Sequence, residues 1–206
     1  MEIRTLNHSQ ANVRIETRDD GKRYITGYAA VFYREGDETT EFRLWDTLVE
    51  RVKRGAFKKA IKQDDVRALL NHDPNMLLAR TGNGLKLKED DIGLYYEFPV
   101  DETDPDHLRV VAKLERGDLK GSSFGFEPVV RKFIEDKEYD IVVLEEVRLY
   151  DVSPATFPAY EGTSVSIRST EGLKAEYDKW KAEQRSIQVD MDEVQIRLYK
   201  ANAGIL

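Results

Sequence analysis

The chain has 206 residues, 40% of them apolar, which suits one domain with a buried core plus an appendage and leaves no room for two full domains. With no cysteine it cannot use a thiol nucleophile, a disulfide or a cysteine-based zinc site, and no metal or cofactor is expected. A net charge of −7, with acids and bases interspersed, argues against a phosphate-tracking surface, so nucleic acid is not an expected ligand.

Met1 to His8 has no apolar signal core, and no stretch approaches the roughly 18 to 20 apolar residues that span a bilayer. A soluble protein with no membrane partner, not exported by this route, is expected. The first two thirds read as strands. Val13 to Thr17 alternates with period two, Asp19-Asp20-Gly21-Lys22 supplies a turn, and Tyr24 to Phe32 is the hairpin partner. From Leu48 to Ile61 the apolar positions Leu48, Val52, Phe57 and Ile61 recur at roughly helical intervals and predict a helix, which Gly55 interrupts or starts. Val66 to Leu70 is a short strand running into Asn71-His72-Asp73-Pro74, where the proline disfavours helix and leaves His72 at a strand end. Leu85 to Lys88 and Ile92 to Val100 form a hairpin around Glu89-Asp90-Asp91. Thr103-Asp104-Pro105 starts a helix that reaches Gly117. Ser123 to Val130 and Ile141 to Val152 are β-rich, and Pro154, Pro158 and Gly162 close the region in loops.

The tail differs. Leu173, Tyr177, Trp180, Gln184, Ile187, Met191, Val194 and Leu198 are spaced alternately by four and three, the rhythm of a heptad seam with one polar position. A single helix over 171 to about 203 would be roughly 50 Å long at 1.5 Å per residue. It either folds back on the body or pairs with another chain, and the pattern favours neither. The reading is therefore a β-rich α+β body, residues 1–170, followed by an amphipathic helical extension, residues 171–206.

Two segments carry chemistry. A serine hydroxyl needs a base to take its proton and a third group to orient that base. In Gly121-Ser122-Ser123-Phe124-Gly125-Phe126, glycine permits close backbone approach and the aromatic residues can anchor the strand in a core. Alone, this segment reads better as an ordinary glycine-containing strand. Of the three histidines, His8 lies in the leader and His107 in the first turns of a capped helix, which leaves His72 as the base. Asp73 is a turn partner, because adjacent residues on an extended segment face opposite ways. The acids after Ser123 are Glu145, Glu146 and Asp151. Alternation puts Glu145 and Asp151 on the face of Val147 and Leu149, opposite Glu146, and the strand-end position of Asp151 suits a site residue best, with Glu146 as the alternative.

At these segments the chain resembles the prohead maturation proteases of tailed bacteriophages, of the HK97-like type. The resemblance runs in order through Gly27-Tyr28-Ala29-Ala30-Val31-Phe32, Gly55-Ala56-Phe57, Asn71-His72-Asp73, Gly93-Leu94-Tyr95, Gly117-Asp118-Leu119-Lys120-Gly121, Ser123-Phe124-Gly125-Phe126 and Val152-Ser153-Pro154-Ala155-Thr156-Phe157-Pro158-Ala159-Tyr160. It implies a serine endopeptidase with a fold similar to the herpesvirus assemblins, a β-barrel surrounded by helices. It implies His72 as general base and Ser123 as nucleophile, with Asp151 where the herpesvirus relatives have a second histidine. Those relatives build the oxyanion hole from a paired-arginine loop; no such pair follows Asp151, which leaves Arg80 and groups around Ser123, at Ser122 and Gly125.

The implied substrate is the scaffold protein or the scaffolding extension of the major capsid protein, with self-cleavage, inside the assembling prohead in the host cytoplasm. The herpesvirus relatives act as dimers, so a homodimer is one arrangement the resemblance allows. Two rivals stand beside this reading. A capsid-assembly protein that has lost activity would not need both His72 and Ser123. A small-molecule serine hydrolase is raised by Gly121-Ser122-Ser123-Phe124-Gly125, but an α/β-hydrolase places its histidine after the serine, whereas His72 comes 51 residues before Ser123.

Overall fold

The computed structural model describes residues 1–6, 8–157 and 171–202, in two units, Met1–Ser166 and Ile167–Leu206. In the first unit the chain runs β1 (Glu2–Leu6), α1 (His8–Ala11), β2 (Arg14–Thr17), β3 (Arg23–Val31), β4 (Glu41–Trp45) and β5 (Leu48–Val52). It continues through α2 (Ala60–Gln63), β6 (Arg67–Leu70), β7 (Asp73–Thr81), β8 (Gly84–Glu89), β9 (Gly93–Pro99), α3 (Pro105–Glu115), β10 (Gly121–Ile134) and β11 (Asp140–Ala155). The second unit holds α4 (Glu171–Asn202).

The strands form one mixed sheet in the order β1-β10-β11-β6-β7-β8-β9-β3-β2, with β5 joined to β11 and β4 to β5. This corrects the expectation of a β-barrel. A closed barrel pairs every strand on both sides, whereas β1 pairs β10 and β2 pairs β3 and, among the described residues, no ladder joins the two ends. The sheet branches instead: one edge of β11 takes β5 along Asp140 to Leu144 and β6 at Asp151 and Val152, both in parallel register.

Several elements follow from local chemistry. The β2–β3 and β8–β9 hairpins form as the turn residues predict. Helix α3 starts at Pro105 behind Asp104, whose carboxylate accepts from the Asp106 N–H, and Gly117 stands past its end at φ +76°. The helix expected over Leu48–Ile61 is absent. Leu48 to Val52 is strand β5, laddered on both sides, and helix is confined to α2. The fourfold spacing of Leu48 and Val52 also fits one face of a strand, and Gly55 at φ +97° turns the chain out of it. Pro154 lies within β11 rather than in a loop; Pro158 and Gly162 fall outside the described residues.

The core behind β10 is aromatic. Phe57 meets Phe124 edge to face at 5.5 Å, Phe124 stacks on Phe126 at 4.8 Å, and Phe32 packs on Phe57 at 6.4 Å, all fully or nearly fully buried. Each such side chain contributes about 1.5–3 kcal/mol by burial, against about 0–1 kcal/mol for a surface ion pair, so the phenylalanines fix β10 in place. Strand β1 is pinned from the same side. The buried Arg4 guanidinium bonds Glu50 through Nε (2.5 Å) and Nη2 (2.8 Å) and bonds Glu2 at 2.7 Å. Burial works against the Arg4 charge, but Glu50 and Glu2 outweigh it and raise its pKa, while burial raises the Glu50 carboxyl against the pull of Arg4.

In α4, Tyr177 and Trp180 pack ring on ring at 5.9 Å, and Ile187, Met191, Val194 and Leu198 of the heptad seam are exposed. Val189 and Ile196, also exposed, fall on the face opposite that seam, so the apolar stripe is not confined to one side. No described helix is long and apolar enough to cross a membrane.

Candidate active site

The Ser123-Phe124-Gly125-Phe126 segment lies on β10, where alternate side chains face opposite ways. Phe124 and Phe126 enter the aromatic core, which turns Ser123 and Gly125 to the other face. Across the ladder Ser123 stands opposite Ser153 and Gly125 opposite Asp151.

Regular alternation along β11 would have sent Asp151 to the core with Leu149. The structure corrects this, because the register shifts between Gly125 and Phe126: Gly125 pairs Asp151, while Phe126 already pairs Leu149. Two steps on β11 oppose one on β10, and this bulge re-aims Asp151 onto the face of Ser123. Glu145 and Glu146 bond Lys53 and Lys59 at the surface instead, and the Lys53 ammonium holds the Glu145 carboxyl below its ordinary range.

His72 comes from the two-residue turn between β6 and β7, where Leu70 pairs Asp73 across the hairpin. Both turn residues have positive φ, +55° at Asn71 and +60° at His72, as a type I′ hairpin turn requires. Asn71 tolerates that region and clamps the turn to the end of β11. Its N–H donates to the Pro154 carbonyl (3.0 Å), its Nδ2 to Thr156 Oγ1 (2.9 Å), and its Oδ1 accepts from the Thr156 N–H (2.7 Å). Asp73 accepts from Asn75 and so serves the turn, as expected.

These three supports bring His72 between Asp151 and Ser123. Nδ1 lies 2.6 Å from Asp151 Oδ1 and Nε2 lies 2.6 Å from Ser123 Oγ. A carboxylate only accepts, so Nδ1 carries the ring proton and Nε2 is left as the acceptor facing the hydroxyl. Ser123 is fully buried, and the His72 and Asp151 side chains are 14% and 3% exposed, so the charges interact in a shielded setting where they count for more than in water. The line Asp151–His72–Ser123 can take a proton from a serine hydroxyl and stabilise the resulting imidazolium.

The model of the caudovirus prohead serine proteases matches residues 9–177. The chain belongs to the caudovirus prohead serine protease family. Among solved structures, the bacteriophage T4 capsid assembly protease gp21 is similar at 14% identity with a TM-score of 0.46, over 76% of this chain and 96% of that one. No curated protein matches the sequence.

This prohead serine protease has further groups on Ser123 that the sequence did not reveal. Thr5 Oγ1 donates to Ser123 Oγ at 3.1 Å, and Ser123 Oγ lies 2.8 Å from the Arg4 carbonyl as its donor. The serine has one proton, so the Arg4 carbonyl and His72 Nε2 compete for it. Both groups come from β1, which precedes the span of the family model. These partners are 118 and 119 residues from Ser123, too remote for any local pattern to signal.

The other residues singled out in the sequence have different partners. Arg80 grips Asp65 with two hydrogen bonds (2.6 and 2.8 Å), and among the described residues no hydrogen bond joins it to Ser123 or His72. Ser122 is buried on the opposite side, with its Oγ donating to Tyr96 OH at 3.3 Å. Gly125 matters as a space: a Cβ there would run into Asp151 Oδ2. His107 is a satisfied core histidine, with Nε2 on the Leu78 carbonyl at 2.7 Å and Nδ1 accepting from the Asp101 N–H.

Proposed function

We propose that this prohead serine protease is an endopeptidase that cleaves the scaffold protein or the scaffolding extension of the major capsid protein, and itself, within the assembling prohead. The observation that carries the reading is the continuous hydrogen-bonded line from Asp151 through His72 to Ser123. Ser123 Oγ attacks the scissile carbonyl carbon while its proton passes to His72 Nε2. Asp151, on Nδ1, stabilises the imidazolium. The tetrahedral intermediate collapses as His72 returns the proton to the leaving amine, which departs and leaves an acyl ester on Ser123. Water, deprotonated by His72 in turn, releases the acid and restores the hydroxyl.

The test is co-expression with the capsid or scaffold protein encoded beside it, read by intact mass. The reading expects discrete partner fragments with wild type and none with Ser123→Ala. Intact partner in both, with prohead assembly confirmed, favours an assembly protein without chemistry and overturns the reading.

A further inference from the structure

The hydroxyl of Ser153 makes a second link between the base and the acid of this site, beside the direct His72–Asp151 hydrogen bond. It is fully buried, opposite Ser123 in the β10–β11 ladder and two residues from Asp151, hence on the same face as both. Its Oγ donates to Asp151 Oδ1 at 2.7 Å and accepts from the His72 backbone N–H at 3.3 Å. His72 Nδ1 is 3.5 Å away. Asp151 Oδ1 therefore receives two donors, the imidazole and the Ser153 hydroxyl. The His72 amide belongs to a left-handed residue at φ +60°, in a backbone state that a non-glycine residue holds only when its surroundings over-determine it.

We propose that Ser153 is a positioning residue for the proteolytic reaction: one hydroxyl ties the backbone of the general base to the carboxylate that orients its ring. It touches neither substrate nor the attacked carbon. Without it, Asp151 can swing away from Nδ1 and the His72 amide loses its acceptor, so the ring no longer holds Nε2 on Ser123 Oγ. A group held within a fraction of an ångström by such support loses rate steeply when the support goes. The inference rests on the reading of Ser123 as nucleophile.

The test measures phosphonylation of Ser123 by a fluorophosphonate, which needs no identified substrate, and separates the saturating rate from the probe affinity. Ser153→Ala should lower the saturating rate by about 10- to 100-fold, with affinity within about twofold of wild type. It should also weaken or abolish the downfield proton resonance of the His72 Nδ1–H. Ser153→Thr, which keeps the hydroxyl, should recover most of the rate and the resonance. Unchanged rate and resonance in a folded Ser153→Ala would overturn the proposal. So would equal losses in the alanine and threonine variants, which would mean that packing alone is at stake. Failure of folded wild type to react at Ser123 is a different result and overturns the reading of the nucleophile itself.

Discussion

Asp151 reaches His72 by lying across Gly125, the residue opposite it in the β10–β11 ladder. A methyl group at position 125 would meet Asp151 Oδ2 well inside van der Waals contact and would also press on Met1 Sδ at 3.1 Å. Asp151 is a short side chain tied to His72 and Ser153, so it cannot yield without breaking those bonds. Gly125→Ala should therefore lower turnover by about 100-fold or more while costing about 1–3 kcal/mol of stability. Parallel assays of turnover and chemical denaturation check this; a destabilised variant with full turnover would contradict it.

The His72 turn depends on Asn71. Asn71→Ala leaves at φ +55° a residue without the short amide side chain that lets asparagine hold this region, and removes two side-chain hydrogen bonds to Thr156. The conformational cost is at most about 1–2 kcal/mol and each lost bond about 0.5–1.5 kcal/mol, so urea denaturation should show a loss of up to about 5 kcal/mol. Asn71→Gly should recover the conformational part and leave the hydrogen-bond part missing.

The buried Arg4–Glu50 pair makes an asymmetric prediction. Arg4→Met leaves the Glu50 carboxylate in the core without its guanidinium, which should cost about 3–5 kcal/mol. Glu2 still has Arg131 at 2.6 Å, so the remaining damage is local. Adding Glu50→Leu should restore stability to wild type or beyond. The Arg4 carbonyl and the Thr5 hydroxyl that touch Ser123 are both kept in Arg4→Met, so the expected loss is one of stability.

Tyr28 gives a pH signature. Its hydroxyl donates to Asp90 Oδ2 at 2.8 Å, and burial together with that carboxylate pushes the phenol up to about 12 from 10.0. The folded state holds this proton more tightly than the unfolded one, so the contribution is full below pH 10 and is lost as pH rises through about 12. Denaturation curves across that range should show alkaline destabilisation that Tyr28→Phe flattens. At the acid end, burial works to raise the Asp90 carboxyl, but donors from Ile92, Tyr28 and Gly93 prevail and hold it below its ordinary range. Its contribution is present above the unfolded value and fades as pH falls through the folded one.

Local chemistry was the legible part of this chain. The Asp104-Pro105 helix start, the two hairpins and the Ser-Phe-Gly-Phe alternation each depend on residues a few positions apart. Leu48 to Val52 reads as helix from its spacing alone because a fourfold interval serves a strand as well as a helix, and its ladders with β4 and β11 decide the matter. His72, Ser123 and Asp151 were visible as residue types, and the structure brings them together. The bulge that aims Asp151 was not visible, since register between strands leaves no periodic trace. Thr5 and Arg4 were missed for the same reason, being set beside Ser123 by a pairing that spans most of the body.

The most direct test treats the folded protein with a fluorophosphonate and maps the adduct by peptide mass. The structure predicts one adduct, on Ser123, that disappears in His72→Ala. An adduct on another serine, or none on Ser123 in folded wild type, would contradict the assignment of Ser123 as the nucleophile and His72 as its base.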